Sequence, residues 1–237
     1  MKNVQTTLSD SEYSEFERMA KSLNLTLKNA TREAIRGWIF QRGKVFIQGV
    51  GEEIFSHPVF ESWQKYFVED YGPPENKILF FLNCTWGKPY HESWIFKSIS
   101  KAIQEVRNLE EFHFIVVSSA GLVPREYWDY YPFNSYDADP WKFSPQDRKS
   151  YVEINSKRVK RYLEKHQKAY ERILVFLPEK DAARIAVEKG YENSGCKLDI
   201  EFVDGIFADE SNREEDYYAC LTYKESLLKL KRILEVV

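Results

Sequence analysis

Residues 3–8 alternate, with Val4, Thr6 and Leu8 on one face and Asn3, Gln5 and Thr7 on the other, the pattern of a short half-buried strand. Ser9-Asp10-Ser11-Glu12 follows as a capping box, and Tyr13, Phe16, Met19, Ala20 and Leu23 then recur at helical spacing. Asn24 and Leu25 break the pattern. Thr26 is placed to cap a second helix whose apolar side carries Ala30, Ala34, Ile35, Trp38 and Ile39. A lone edge strand leaves its hydrogen-bonding ladder unpaired, so this strand–helix–helix piece predicts a partner strand from a second copy of the chain.

After Gly43 the pattern changes. Gly43, Gly49 and Gly51 bracket Val45-Phe46-Ile47, a candidate linking strand, and divide the chain into a module at 1–44, a linker at 45–53 and a main domain at 54–237. Trp63, Phe67 and Tyr71 share a helical stripe that stops at Gly72-Pro73-Pro74. Strands are then predicted at Ile78–Asn83, Phe112–Val117, Ile173–Leu177 and Leu198–Val203. Between and after them, helices are marked by Ile95–Val106, by Val159, Tyr162, Leu163, His166 and Tyr170, by Ala182–Ala186, and by Tyr223–Leu234. Strands apolar on both faces, alternating with helices, predict an α/β fold: a three-layer α/β/α arrangement around a mostly parallel sheet, preceded by the small strand–helix–helix domain. Ligands of such sheets bind beyond the carboxyl ends of the strands, where the strand order reverses. That directs attention to Asn83–Tyr90, Ser118–Glu126 and Pro178–Lys180.

Composition narrows the setting. No window of the 237 residues approaches the roughly 18 consecutive apolar residues of a spanning helix, and Met1–Gln5 opens no signal-like apolar region. Cys84, Cys196 and Cys220 fit neither a disulfide framework nor paired zinc knuckles, so a soluble protein of the reducing cytoplasm is expected. Residues 1–44 carry eight basic and five acidic side chains, a net of +3 within a chain of net −3, which suggests two modules with different partners. Asp137 and Asp139 have no histidine close in sequence, so no metal is expected, and no cofactor.

The loop after the first main strand is chemically the richest. Cys84 ends a buried strand, four residues before Lys88 and just ahead of a helix, where positive charge and helix N–H groups favour the nucleophilic thiolate. The alternative is a small buried hydrophobe, a common fate of cysteine. The aromatic run Tyr127–Tyr136 reads chiefly as packing onto the core, leaving one or two rings to line a pocket. His91 reads as a helix-start residue facing solvent or an acid/base group, His113 as a strand residue and His166 as part of a helix face.

Two resemblances add to this. Val4-Gln5-Thr6-Thr7-Leu8, Tyr13, Leu23 and Thr31-Arg32-Glu33-Ala34-Ile35-Arg36 resemble the ribbon-helix-helix DNA-binding family over residues 2–42. The resemblance implies a homodimer whose paired strands enter the DNA major groove, with Asn3, Gln5 and Thr7 toward base edges, Lys2 and Lys28 supplying charge and the helix start at Thr26 meeting a phosphate. The alternative is dimerisation without DNA. Cys84-x-x-x-Lys88-Pro89-Tyr90-x-x-Ser93 is similar to the signature of the archaeosine synthase core domain. His57-Pro58, Tyr71-Gly72-Pro73-Pro74, Ser118-Ser119, Leu122–Glu126, Tyr131-Pro132 and Tyr136-Asp137 follow in family order over roughly 54–178. Two departures stand out: Phe96 occupies the place of the signature's histidine, and the chain has no room for the transglycosylase-like barrel and RNA-binding tail of full archaeosine synthases.

This second resemblance implies a fold like that of uracil-DNA glycosylases. It also implies a 7-cyano-7-deazaguanine base carried in tRNA or DNA, and addition of an amine (lysine, in the family) to its nitrile. Cys84, Lys88 and Ser93 are the implied catalytic residues. Tyr90, Ser118, Ser119, Pro124, Arg125, Glu126, Tyr136 and Asp137 are the implied substrate-binding ones. Three functions follow as expectations: a base-modifying enzyme, a dimeric DNA-binding regulator whose α/β domain senses a nucleobase-like ligand, or a scaffold with neither activity.

Overall fold

The computed structural model describes residues 10–22, 25–42, 47–75, 77–85, 87–138, 142–205 and 219–236. The strand expected at 3–8, with Lys2, Asn3, Gln5, Thr7 and the Ser9 cap, lies outside them, as do Val45, Phe46 and Asp139. In chain order the first elements are α1 (Asp10–Ser22), α2 (Leu27–Arg42), β1 (Ile47–Gly49), α3 (Glu52–Phe55) and α4 (Pro58–Glu69). Then come β2 (Lys77–Asn83), α5 (Trp94–Gln104), β3 (Phe112–Ser118), β4 (Gly121–Pro124) and β5 (Tyr136–Ala138). The chain continues through α6 (Pro145–His166), β6 (Tyr170–Phe176), α7 (Ala182–Ser194), β7 (Ile200–Val203) and α8 (Lys224–Val236).

The apolar runs pair as expected of strands buried on both faces. The main sheet has the order β4-β3-β2-β6-β7, with β3, β2, β6 and β7 parallel and β4 antiparallel to β3. Alternation sends Phe114 and its neighbour His113 to opposite faces. On one face Phe96 of α5 meets Phe114 edge-on, with ring centres 5.4 Å apart, and α8 packs beside α5. On the other face His113 meets Tyr71 and Tyr170, while α4, α6 and α7 pack together. This is an α/β fold with helices on both sides of a mostly parallel sheet.

Two short strands depart from the sequence reading. The segment after β3, expected as a ligand loop, turns back at Gly121 and pairs as β4. Gly121 has φ +97°, a conformation that glycine adopts without strain, and a Cβ there would come within 2.4 Å of the Gln64 side chain. That Gln64 amide pins the turn: its Nε2 donates to the carbonyls of Ala120 and Leu122, and its Oε1 accepts from the Leu122 N–H. The other addition is a parallel pair formed by β1 and β5, with Ile47 opposite Tyr136. The helix expected to reach Tyr170 ends at His166, and Tyr170 opens β6.

Near the N-terminus, Thr26 caps α2 as expected, its Oγ1 accepting from the Asn29 N–H. Asn29 donates to the Asp70 carbonyl and Arg32 pairs with the Asp70 carboxylate, which ties α2 to the end of α4.

Candidate active site

The connections place the site. From β2 the chain passes through α5 to β3 on one side, then returns through α6 to β6 on the other side of β2. The order therefore reverses between β2 and β6, and the crevice beyond their carboxyl ends is where ligands of such sheets bind. Cys84 is the residue immediately after β2.

Cys84 is half-buried, and its surroundings are polar. Its Sγ lies 3.4 Å from the Tyr136 hydroxyl, 4.0 Å from the Tyr90 hydroxyl and 3.7 Å from the Thr85 carbonyl oxygen. The two phenol oxygens share a hydrogen bond of 2.7 Å. Tyr90 is delivered by the turn that follows the cis Lys88-Pro89 bond, and its ring rests edge-on against Trp128. Tyr136 is fixed by the β1–β5 ladder and by the edge of Phe60. Burial first, then the nearby Cys84 charge, raises both phenol pKa values well above the usual tyrosine range. Both therefore keep their protons at neutral pH and can donate to charge that develops at or beside the sulfur. Ser118, at the end of β3, donates to the Gly121 carbonyl and accepts from the Ala120 N–H, so its hydroxyl holds the turn into β4.

Lys88 supplies a cation. Its Nζ stands 4.2 Å from the centre of the Tyr136 ring and donates to the Thr85 carbonyl. A cation over an aromatic face gains about 0.5–1 kcal/mol at an exposed site and more when desolvated. The amide of Asn83 completes the cluster. It is 3% exposed and its Nδ2 donates to the Cys84 carbonyl, which fixes its orientation, yet no described residue offers a donor to its Oδ1. A buried acceptor left unpaired costs about 1–3 kcal/mol, so a donor from water or a ligand would be favoured at this atom. Asn83 also borders a small hollow of about 10 Å³, room for about one water, shared with Thr85, Tyr90, Phe96 and Trp128 on the α5 side of the sheet.

The structure thus brings Cys84, Lys88, Tyr90, Ser118 and Tyr136 together, with Ser119 buried next to Ser118. Ser93 is buried and caps α5, its Oγ accepting from the Phe96 N–H. The turn at Gly121 carries the next three residues away. Pro124 pairs with Ile115, Arg125 is exposed with its guanidinium over Phe114, and Glu126 bonds to His113. His113 is level with Leu79, five residues before Cys84, which puts Glu126 about 16 Å back along the sheet. Asp137 is exposed on β5, opposite Gln48. Thr26 and Lys28 are exposed near the start of α2.

One residue beyond the sequence-based set of site residues stands at Cys84: Asn83, the last residue of β2. Asp181 follows β6, is 6% exposed, and accepts from the Ala183 N–H at the start of α7. Tyr151, on α6, is buried with its ring edge-on to Phe55. Among the described residues no group of three or more His, Cys, Asp or Glu side chains is placed to hold a metal, and no helix is long and apolar enough to cross a membrane.

Chemically, the arrangement is a thiol flanked by two protonated phenols, a cation and an unsatisfied amide acceptor. It suits addition of sulfur to an electrophilic carbon whose neighbouring atom takes up a proton.

Comparison with known proteins agrees in part with the resemblance drawn from the motifs. A curated relative, archaeosine synthase subunit alpha of Thermoplasma acidophilum, is 32% identical over 120 residues, 49% of this chain. The chain spans 22% of that relative's length. No solved structure matches it. Residues 60–215, the larger part of the chain and all of the main sheet, match one family model, so the chain belongs to the family defined by the domain of unknown function DUF5591.

Proposed function

We propose that the α/β unit is a nucleobase-modifying catalytic core of the archaeosine-synthase type, acting in tRNA modification and adding an amine to the nitrile of a 7-cyano-7-deazaguanine base. The observation that carries this reading is the Cys84 sulfur at the sheet's switch point, 3.4 Å from a phenol held in its protonated form. The relationship to archaeosine synthase subunit alpha supports the substrate class, and the word subunit in that name supports a partner chain.

In this reading the Cys84 thiol adds across the nitrile: sulfur bonds to carbon and a proton reaches nitrogen, giving a thioimide. Tyr136 and Tyr90 supply the hydrogen bonds at that nitrogen, Lys88 holds the developing negative charge, and Asn83 Oδ1 accepts an N–H of the base. An amine then displaces the thiol and leaves an amidine-type product. We read the fold as uracil-DNA-glycosylase-like and residues 1–44 as a ribbon-helix-helix dimer that uses Lys2, Asn3, Gln5, Thr7, Thr26 and Lys28 on nucleic acid. The capped α2 supports the second of these. Turnover of a nitrile-bearing tRNA, lost in Cys84→Ser with nucleic-acid binding retained, tests the reading; turnover by Cys84→Ser at the wild-type rate overturns it.

One observation favours a ligand-sensing regulator instead. Phe96, in the position of the signature's histidine, is buried against Trp128 with ring centres 4.9 Å apart beside the hollow. If Phe96→His gains turnover that the wild type lacks, the native chain is the sensor.

A further inference from the structure

We infer that Glu126, His113 and Tyr71 are positioning residues for Cys84, acting through the strap of residues 126–136 that carries Trp128 and Tyr136 to the site. The inference concerns the surroundings of the sulfur and holds for any electrophile, so it does not depend on the nitrile base.

The strap is fastened at both ends. At its start, three side-chain atoms close a triangle on the α4 side of the sheet. The Tyr71 hydroxyl donates to Glu126 Oε2 at 3.3 Å, His113 Nε2 lies 3.2 Å from the same oxygen, and hydroxyl and ring nitrogen are 3.1 Å apart. His113 extends the anchor, since its Nδ1 bonds to the Tyr170 hydroxyl at 2.7 Å and that hydroxyl to Tyr162 at 2.6 Å. One carboxylate is thereby tied to β3, β6 and α6. A buried polar network holds its members in one arrangement, because releasing any of them strands a polar group away from water. At the far end Tyr136 sits in the β1–β5 ladder, 3.4 Å from the Cys84 sulfur.

Between its ends the strap passes around β4, the outermost strand. Glu126 reaches His113 on one face, and two residues later Trp128 packs on Phe96 on the other. Its backbone runs in linked turns: the N–H groups of Trp128, Tyr130 and Asn134 donate to the carbonyls of Arg125, Tyr127 and Tyr130. Position at Glu126 is therefore passed to Trp128, whose ring backs Tyr90 edge-on at 5.7 Å. Tyr90 in turn bonds to Tyr136 at 2.7 Å and stands 4.0 Å from the sulfur. A site holds its geometry when the groups that touch the reacting atom are themselves locked from behind. Glu126, too far back along the sheet to touch the sulfur, locks both phenols in this way.

Alkylation of the full chain by iodoacetamide at pH 7, followed cysteine by cysteine with peptide mapping, tests this. Half-buried Cys196 and buried Cys220 are internal controls, because a loosened fold exposes them too. Glu126→Leu removes the acceptor from the triangle. It is expected to slow Cys84 about fivefold, the worth of one hydrogen bond at the sulfur, with Cys196 unchanged and Cys220 unlabelled. Glu126→Gln keeps an acceptor oxygen and should restore most of the wild-type rate. If thermal melts show that Glu126→Leu does not fold, Tyr71→Phe, which keeps the ring and removes one donor, must slow Cys84 alone. An unchanged Cys84 rate in the folded variant, or faster labelling of Cys84 and Cys220 together, overturns the inference. A wild type that alkylates at Cys84 yet takes up no nitrile base would remove the enzymatic reading and leave the strap standing.

Discussion

Tyr136 touches both the Cys84 sulfur and the Tyr90 hydroxyl, so its oxygen is the junction of the candidate site. Replacing it by Phe keeps the packing against Phe60 and removes only that junction. A catalytic proton donor is worth about 10²–10⁴ in rate, so Tyr136→Phe is expected to lower kcat about a hundredfold with KM little changed. A large rise in KM at constant kcat would show a binding role instead. Asn83 makes a different prediction. Its Oδ1 has no donor, so Asn83→Leu removes an unsatisfied buried acceptor, and the ligand-free protein should be as stable or more so, by up to about 1–3 kcal/mol. The same change should weaken binding of the nitrile base at least tenfold, read by titration beside thermal melts. Cys84 was legible in the sequence because it follows an unmistakable apolar strand; Asn83 was not, because the last residue of a strand carries no pattern that says whether its side chain is satisfied.

The elements were legible where periodicity runs long. β2, β3, β6 and the helices α5 and α8 stand close to where the apolar spacing put them. β4 and β5 did not announce themselves, being four and three residues long, and Gly121-Leu122-Val123-Pro124 reads equally well as a loop. That small omission moved a large piece of the anticipated site. Because the chain reverses at Gly121, Arg125 and Glu126 run back along the sheet and do not converge on Cys84, and Glu126 joins His113, Tyr71 and Tyr170 in a buried network. The joint between α6 and α7 offers a test of the packing itself. A Cβ on Gly190 would lie 2.5 Å from Val159 Cβ and 2.8 Å from the Ser156 carbonyl oxygen, so the two helices approach only because residue 190 has no side chain. Gly190→Ala is expected to destabilise the fold by about 1–3 kcal/mol, measured by urea unfolding, despite alanine's better helix propensity. An unchanged or raised midpoint would mean that α6 and α7 are less closely packed.

The molecule as a whole should be sensitive to acid, and the sign follows from two buried groups. Burial, with the Phe67 carbonyl opposing, lowers the His166 pKa to about 4. An unfolded histidine takes up its proton near 6.5, so the unfolded chain binds more protons between about pH 6.5 and 4, and stability falls as pH falls through that window, by up to about 3 kcal/mol. For Glu126, burial pushes the carboxyl up, but the charge and hydrogen bond of His113 outweigh it and leave the pKa lowered. Its contribution is present above the unfolded carboxylate value and is lost as pH drops through the folded one, adding to the same trend at lower pH. Urea midpoints at pH 7, 5 and 4 should therefore decline, and His166→Gln should flatten the upper part of that decline. A profile flat from pH 7 to 4 would contradict both assignments. The charge asymmetry that separates residues 1–44 from the rest is a property of this scale too, and the Asn29 and Arg32 contacts with Asp70 give the two parts a physical joint. The most direct measurement of the central proposal is the intact mass of the protein after incubation with 7-cyano-7-deazaguanine, followed by peptide mapping. The wild type should gain the mass of one base on Cys84, and Cys84→Ser should gain none; an unmodified wild type, or an adduct that persists in Cys84→Ser, would contradict it.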